Sequence, residues 1–284
     1  MNPSPLRYPG GKHKIYRYIS DLVSRNECST YIEPFCGGAA VAFDLLFDGA
    51  VNDIIINDFD YSVFCFWHCV LYNPESICRK IRDTAITLDE WHRQKDIRKH
   101  LDDYDELDIG FSTLFLNRTN RSGIIDKAGP IGGLQQTGNY PIDCRFNKDA
   151  LIAQIERIAR SNNHIQVHNM EALDFIDGVI CKSRKSFIYF DPPYYGKGPG
   201  LYTNFYSHGD HQNLSRAIME KLKRRKWIVS YDNVNAVKSM YAKADSIEFK
   251  LQYSLQSKKD GTEVMFFSKN VARPENEHEL INIV

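Results

Sequence analysis

The feature that most constrains this chain is the run Ser186-Phe187-Ile188-Tyr189-Phe190, followed at once by Asp191-Pro192-Pro193-Tyr194. The run has the length and the β-branched and aromatic character of a buried strand. Two consecutive prolines cannot continue it, so the chain must leave the sheet there. It leaves with an acid, a backbone carbonyl that has no ladder partner, and an aromatic ring. All three stand at the carboxyl end of a strand, where open α/β sheets bind ligands. Together they suit a planar nucleobase held by its amino group.

The rest of the chain alternates strands and helices. Helices are expected over 14–23, 39–47 and 61–71, with strands over 30–32 and 53–57 between them, a βαβ order that ends its second strand at Asp58. Residues 75–118 read as charged helices (75–85, 88–101, 109–117), and 119–147 as a long irregular loop rich in Gly, Asn, Gln and Pro. A loop that long in a compact protein usually has a function. The alternation then resumes: helix 150–160, strand 164–167, helix 172–179, the strand ending at Asp191, helix 211–225 and strand 227–230. Two antiparallel strands, 246–255 and 263–267, close the chain, joined by an Asp-Gly turn within Lys259-Asp260-Gly261-Thr262. The expected class is α/β: a Rossmann-like sheet with helices on both faces, an antiparallel C-terminal strand, and a helical and loop insert over 75–147. Residues 1–74 and 148–284 would form the sheet domain.

Composition narrows the function classes. With 284 residues the chain can bury a full core. No apolar stretch approaches the ~20 residues of a membrane span, and the first residues lack the apolar core of a signal peptide. The seven cysteines form no CxxC pair, which points to reduced thiols in a cytoplasmic protein and against a structural zinc site. Acids and bases balance at 36 each, so any nucleic-acid contact must come from local patches. Such patches occur around Arg7, Lys12, Lys14 and Arg17, and around Arg118, Arg121 and Lys127, with Arg145 and Lys148 beyond. A third, Lys221 to Lys226, reads as a solvated helix end.

Two further segments suit a nucleotide-like ligand. Glu33-Pro34-Phe35-Cys36-Gly37-Gly38-Ala39 puts glycines between a strand and a helix, where backbone can approach a ligand closely. Asp58 ends the next strand about 20 residues on, a spacing at which an acid accepts hydrogen bonds from ribose hydroxyls. Each has an ordinary alternative, a tight turn and a helix cap; the pair is stronger than either. Arg7-Tyr8-Pro9-Gly10-Gly11-Lys12 places a lysine after a Gly-Gly turn, but no P-loop is present, so ATP hydrolysis has little support.

In this order, Tyr8-Pro9-Gly10-Gly11-Lys12, Glu33-Pro34-Phe35-Cys36-Gly37-Gly38, Asn57-Asp58, Leu116-Asn117-Arg118 and Asp191-Pro192-Pro193-Tyr194 resemble the Dam-type DNA adenine N6-methyltransferases from Leu6 to Phe267. The resemblance implies a methyltransferase sheet, S-adenosylmethionine (SAM) as donor, no metal, and duplex DNA as substrate. It puts Tyr8, Gly10 and Lys12 near the donor's methionine end, Phe35 and Gly37 along the donor turn, and Asp58 on the ribose. Glu171 and Ala172 stand where the family often has an acid contacting the adenine region, and Ala39 stands where many members have glycine. Asp191 and the Pro192 carbonyl would accept hydrogen bonds from adenine N6, while Tyr194 would stack on a base flipped out of the duplex. The 75–147 insert would read sequence, with Asn117, Arg118, Asn120, Arg121 and Arg145 facing DNA. Tyr206, in the segment after the catalytic loop, would close over the base. A single catalytic set suits a monomer, and a cognate restriction endonuclease is a possible partner. Three rivals remain: an N4-cytosine enzyme, which more often has Ser at the Asp191 position; an RNA methyltransferase; and a catalytically silent nucleic-acid-binding protein.

Overall fold

The computed structural model describes residues 2–7, 12–196, 206–252, 260–275 and 277–281. Seven strands form one sheet: β1 (Thr30–Glu33), β2 (Asp53–Asn57), β3 (Ile165–His168), β4 (Ser186–Phe190), β5 (Lys226–Asp232), β6 (Asp245–Gln252) and β7 (Asp260–Phe267). Their spatial order is β3-β2-β1-β4-β5-β7-β6. The first five are parallel, and β7 lies antiparallel between β5 and β6. Parallel strands put all their carboxyl ends on one edge. The order reverses between β1 and β4, and open α/β sheets bind ligands at that reversal.

Successive strand residues point to opposite faces. Tyr31, Phe187, Tyr189 and Ile228 enter one apolar core, while Ile32, Ile188, Phe190 and Val229 enter the other. The first core is covered by α1 (Tyr16–Arg25), α2 (Ala40–Phe47) and α3 (Tyr61–Tyr72); the second by α8 (Ala172–Gly178), α9 (His208–Lys221) and α10 (Asn235–Met240). Local chemistry sets the helix starts. Asp60 caps α3 by accepting from Ser62 N at 2.9 Å, and Ser207 with Asp210 forms a capping box on α9.

The 75–147 stretch holds α4 (Pro74–Asp83), α5 (Leu88–Lys99) and α6 (Glu106–Thr119), then a long loop up to α7 (Lys148–Ala159). It has no core of its own. Ile77, Ile81, Trp91, Phe111, Leu114 and Phe115 pack into the same cluster as Val63, Phe66 and Trp67 of α3. α6 approaches α3 so closely that a Cβ on Gly110 would lie 2.9 Å from the Cys65 carbonyl oxygen. Arg98 adds a charged tie, reaching both Asp60 at the foot of α3 and Asp126 in the loop.

Most expected elements occur within a few residues of their sequence bounds. The closing hairpin differs. Asp260 and Thr262 sit inside β7, in register with Gln252 and Lys250, so the Asp-Gly pair is strand and not turn. Pairing continues because the antiparallel ladder between β6 and β7 is longer than their apolar alternation suggests.

Candidate active site

The residues expected on the donor side lie at the carboxyl ends of β1 and β2. Asp58 Oδ2 accepts from Gly37 N and Oδ1 from Asp60 N, both at 2.9 Å. Burial, then the charge of Asp60, pushes the Asp58 carboxyl up to about 7. Gly37 (φ +43°) and Ala39 (φ +47°) both occupy the left-handed region. Ala39 therefore stands in a conformation that glycine adopts without strain. Asn57, 1% exposed, locks the neighbouring turns: its amide donates to the Pro34 and Met170 carbonyls and its Oδ1 accepts from Met170 N. Glu171 caps α8 by accepting from Leu173 N at 2.6 Å. Its other oxygen accepts from the Tyr206 hydroxyl at 3.5 Å. Phe35 meets the Tyr206 ring edge-on at 5.8 Å. Tyr206, expected over DNA, thus lies against Phe35 and Glu171 on the donor side. Ala172 is buried at the start of α8.

The residues expected on the acceptor side lie at the ends of β4 and β5. Lys12 Nζ donates to both Asp191 oxygens at 2.8 Å. It lies 3.7 Å from Glu263 Oε2 and 5.3 Å from the centre of the Tyr194 ring. Burial alone would discharge Lys12, yet the adjoining Asp191 and Glu263 carboxylates hold its pKa well above the ordinary value. Ser230 Oγ donates to Asp191 Oδ1 at 2.7 Å, and Tyr189, 2.8 Å from Ser230 Oγ, donates to that hydroxyl in turn. Asp232 accepts from Tyr195 N and Gly196 N, both at 2.8 Å, which fixes the path after the double proline. Tyr194 is 5% exposed and donates to Glu263 Oε1 at 2.5 Å. Beneath them, burial pushes Glu33 up to about 8, with the Tyr31 hydroxyl donating to it at 2.9 Å.

The expected DNA face divides in two. Asn117 and Asn120 are each 1% exposed, and their side chains are committed inside the protein. Asn117 grips the backbone of Arg7, accepting from its N–H at 2.7 Å and donating to its carbonyl at 3.0 Å. Asn120 accepts from Trp91 Nε1 and donates to the carbonyls of Ile124 and Ile125. Both amides anchor loops in this structure, because a buried amide must satisfy its own hydrogen bonds first. Arg118 Nε donates to the Pro5 carbonyl at 2.6 Å. Burial, then the charges of Arg7 and Arg145, lower the Arg118 guanidinium to about 10. Arg121 and Arg145 are exposed. Tyr8 and Gly10 fall outside the described residues.

The family profile of D12 class N6 adenine-specific DNA methyltransferases matches residues 8–255. The chain belongs to that family. It is 28% identical over 206 residues to the type II methyltransferase M.MjaIII of Methanocaldococcus jannaschii, covering 66% of this chain and 68% of the relative. It is 23% identical over 207 residues to the type II methyltransferase M1.LlaDCHI of Lactococcus lactis subsp. cremoris, covering 66% of this chain and 64% of that one. A solved rRNA methyltransferase, aviRa of Streptomyces viridochromogenes, shares 10% identity at a TM-score of 0.41 over 93% of this chain and 87% of that one, a likeness too slight to bear on substrate. Membership in the family implies the use of SAM as methyl donor. Among the described residues, no His, Cys, Asp and Glu cluster could hold a metal, and no helix is long and apolar enough to cross a membrane.

The sequence marks Ser230 only as the end of a strand and Glu263 only as the start of one, and it singles out no role for Asp232. The signal for Glu263 was available: a lone acid heading the apolar run Val264-Met265-Phe266-Phe267.

Proposed function

We propose that this chain methylates N6 of an adenine flipped out of duplex DNA, with Asp191 and the Pro192 carbonyl as the acceptors for the amino group. The observation that carries the proposal is the state of Asp191. Its carboxylate is held from behind by Ser230, yet its side chain keeps 26% exposure at the strand end. A fixed acceptor there favours a pyramidal N6 whose lone pair is free to attack. Positioning and electrostatics then supply the rate. As the new N–C bond forms, the sulfur–methyl bond of the donor would break, S-adenosylhomocysteine would leave, and N6 would lose one proton to solvent by way of the Asp191 carboxylate.

The donor-side residues fit SAM. Each Asp58 oxygen accepts one backbone N–H and keeps lone pairs for a ribose hydroxyl. Gly37 keeps side-chain bulk off the turn, and Phe35 with Tyr206 offers aromatic surface beside Glu171 and Ala172. Bound there, SAM supplies an electrophilic methyl group.

Duplex DNA would lie across Arg7, Arg118, Arg121 and Arg145, whose charges suit phosphate, and the 119–147 loop would serve as the sequence reader. All these groups come from one chain, which suits a monomer. The names of the two relatives make a cognate restriction endonuclease the partner to seek. Transfer of labelled methyl from SAM to duplex DNA, followed by nucleoside analysis, tests the reading. N6-methyladenine in one short context is expected; N4-methylcytosine, or no transfer to DNA, overturns it.

A further inference from the structure

Lys12 donates to both oxygens of Asp191, the same oxygens that the proposed chemistry assigns to adenine N6. The amino group and the ammonium cannot both saturate that carboxylate. A buried ammonium leaving it needs another anion, because an unpaired charge 4% exposed is strongly disfavoured. Glu263 is placed to receive it. It lies on β7, 2% exposed, with Oε1 taken by the Tyr194 hydroxyl. Among the described residues Oε2 has no hydrogen-bond partner, and it stands 3.7 Å from Lys12 Nζ. That gap closes with a small rotation of a lysine tip.

We propose that Glu263 is a positioning residue for methyl transfer, resting on the adenine-methylation reading above. It is the alternate seat for the Lys12 ammonium, which moves from Asp191 to Glu263 Oε2 when the target base enters. The Lys12–Asp191 bond then guards the carboxylate until a correctly placed amino group displaces it. Through Tyr194, the same carboxylate keeps the catalytic loop in register during the exchange.

The test compares Glu263→Gln with Glu263→Asp in wild-type-matched assays of methyl transfer to duplex DNA. Gln keeps the shape and the Tyr194 bond but cannot seat an ammonium; Asp keeps the charge and opens a gap. The expected result is a kcat lower by about 30-fold or more in Glu263→Gln, partly recovered in Glu263→Asp, with S-adenosylhomocysteine affinity within about 2-fold in both. A packing role predicts the reverse order. Asp as weak as Gln or weaker, or Gln within about 3-fold of wild type, overturns the proposal. A second measurement needs no variant. In wild-type protein labelled with 15N-lysine, addition of S-adenosylhomocysteine and a duplex carrying the target adenine should shift the Lys12 ammonium signal and leave it protected from solvent exchange. An unshifted signal, or one lost to solvent, also overturns it. The wild-type control separates the two readings: N6-methyladenine made by wild type with these outcomes failing removes Glu263 alone, whereas no methyl transfer by wild type removes both.

Discussion

The two halves of the site are built from different materials. On the donor side the fixed groups are backbone: Asp58 accepts from two N–H groups, and Asn57 ties two turns through carbonyls and one N–H. On the acceptor side they are side chains of opposite charge, with Lys12, Asp191, Tyr194 and Glu263 drawn from the N-terminal segment, the β4 exit and β7. A cradle made of backbone holds one shape. A cluster of buried charges has more than one pairing of similar energy, so it can respond to what enters. The contrast suits a site whose donor is constant and whose acceptor base must be admitted selectively.

Four changes bear on that contrast. The largest effect is expected from Asp191→Ala, a loss of about 1,000-fold or more in methyl transfer with S-adenosylhomocysteine binding retained. Equal damage to donor binding, measured by calorimetry, would show the two halves to be one unit. Asp58→Ala should act oppositely, weakening donor binding by about 10- to 100-fold through lost charge-assisted hydrogen bonds, with a smaller fall in kcat at saturation. The pH dependence should carry the same signature. Asp58 is raised to about 7, so its acceptor form is lost as pH falls through that value. Wild-type affinity for S-adenosylhomocysteine should drop roughly tenfold per unit below 7 and level off above it, and Asp58→Asn should flatten the curve. The folded form gains proton-linked stability below the ordinary carboxylate range and loses it as pH rises towards 7.

Asn117→Ala reaches the acceptor side from a distance. It removes both bonds to Arg7, whose carbonyl packs so closely on Gly123 (φ +74°) that a Cβ there would lie 2.3 Å from it. A destabilisation of about 1–3 kcal/mol is expected in chemical denaturation. Methyl transfer should fall more than donor affinity does; the reverse order would break the assignment of the N-terminal segment to the acceptor half. The smallest effect is expected from Arg145→Ala, which should weaken DNA binding on all sequences alike and reduce the slope of log affinity against log salt by about 1. A change of recognition sequence instead would make Arg145 a base reader.

Alternation of apolar runs with helical periodicity was enough for the α/β class, and strand-end punctuation marked Asp58 and Asp191. Local signals reach that far because a strand, its stop and the helix after it are specified by neighbouring residues. The pairings were not legible. Asn117 looks like a polar residue in a basic patch, yet it is a bracket for Arg7, 110 positions away. Glu263 looks like a strand start, yet it faces Lys12 and Tyr194. Sequence marked 75–118 as charged helices but could not say that their apolar residues join the core beside α3.

The sequence by itself determined the strand that ends in Asp-Pro-Pro-Tyr, the glycine turn before α2, and the family these motifs resemble, since each depends on a few contiguous residues. Only the tertiary structure decided which charges meet. β7 inserts antiparallel between β5 and β6 and thereby carries Glu263 to the catalytic edge of the sheet. An ion pair across 179 residues, Lys12 to Asp191, depends on strand order and on burial, which lowers the dielectric around it.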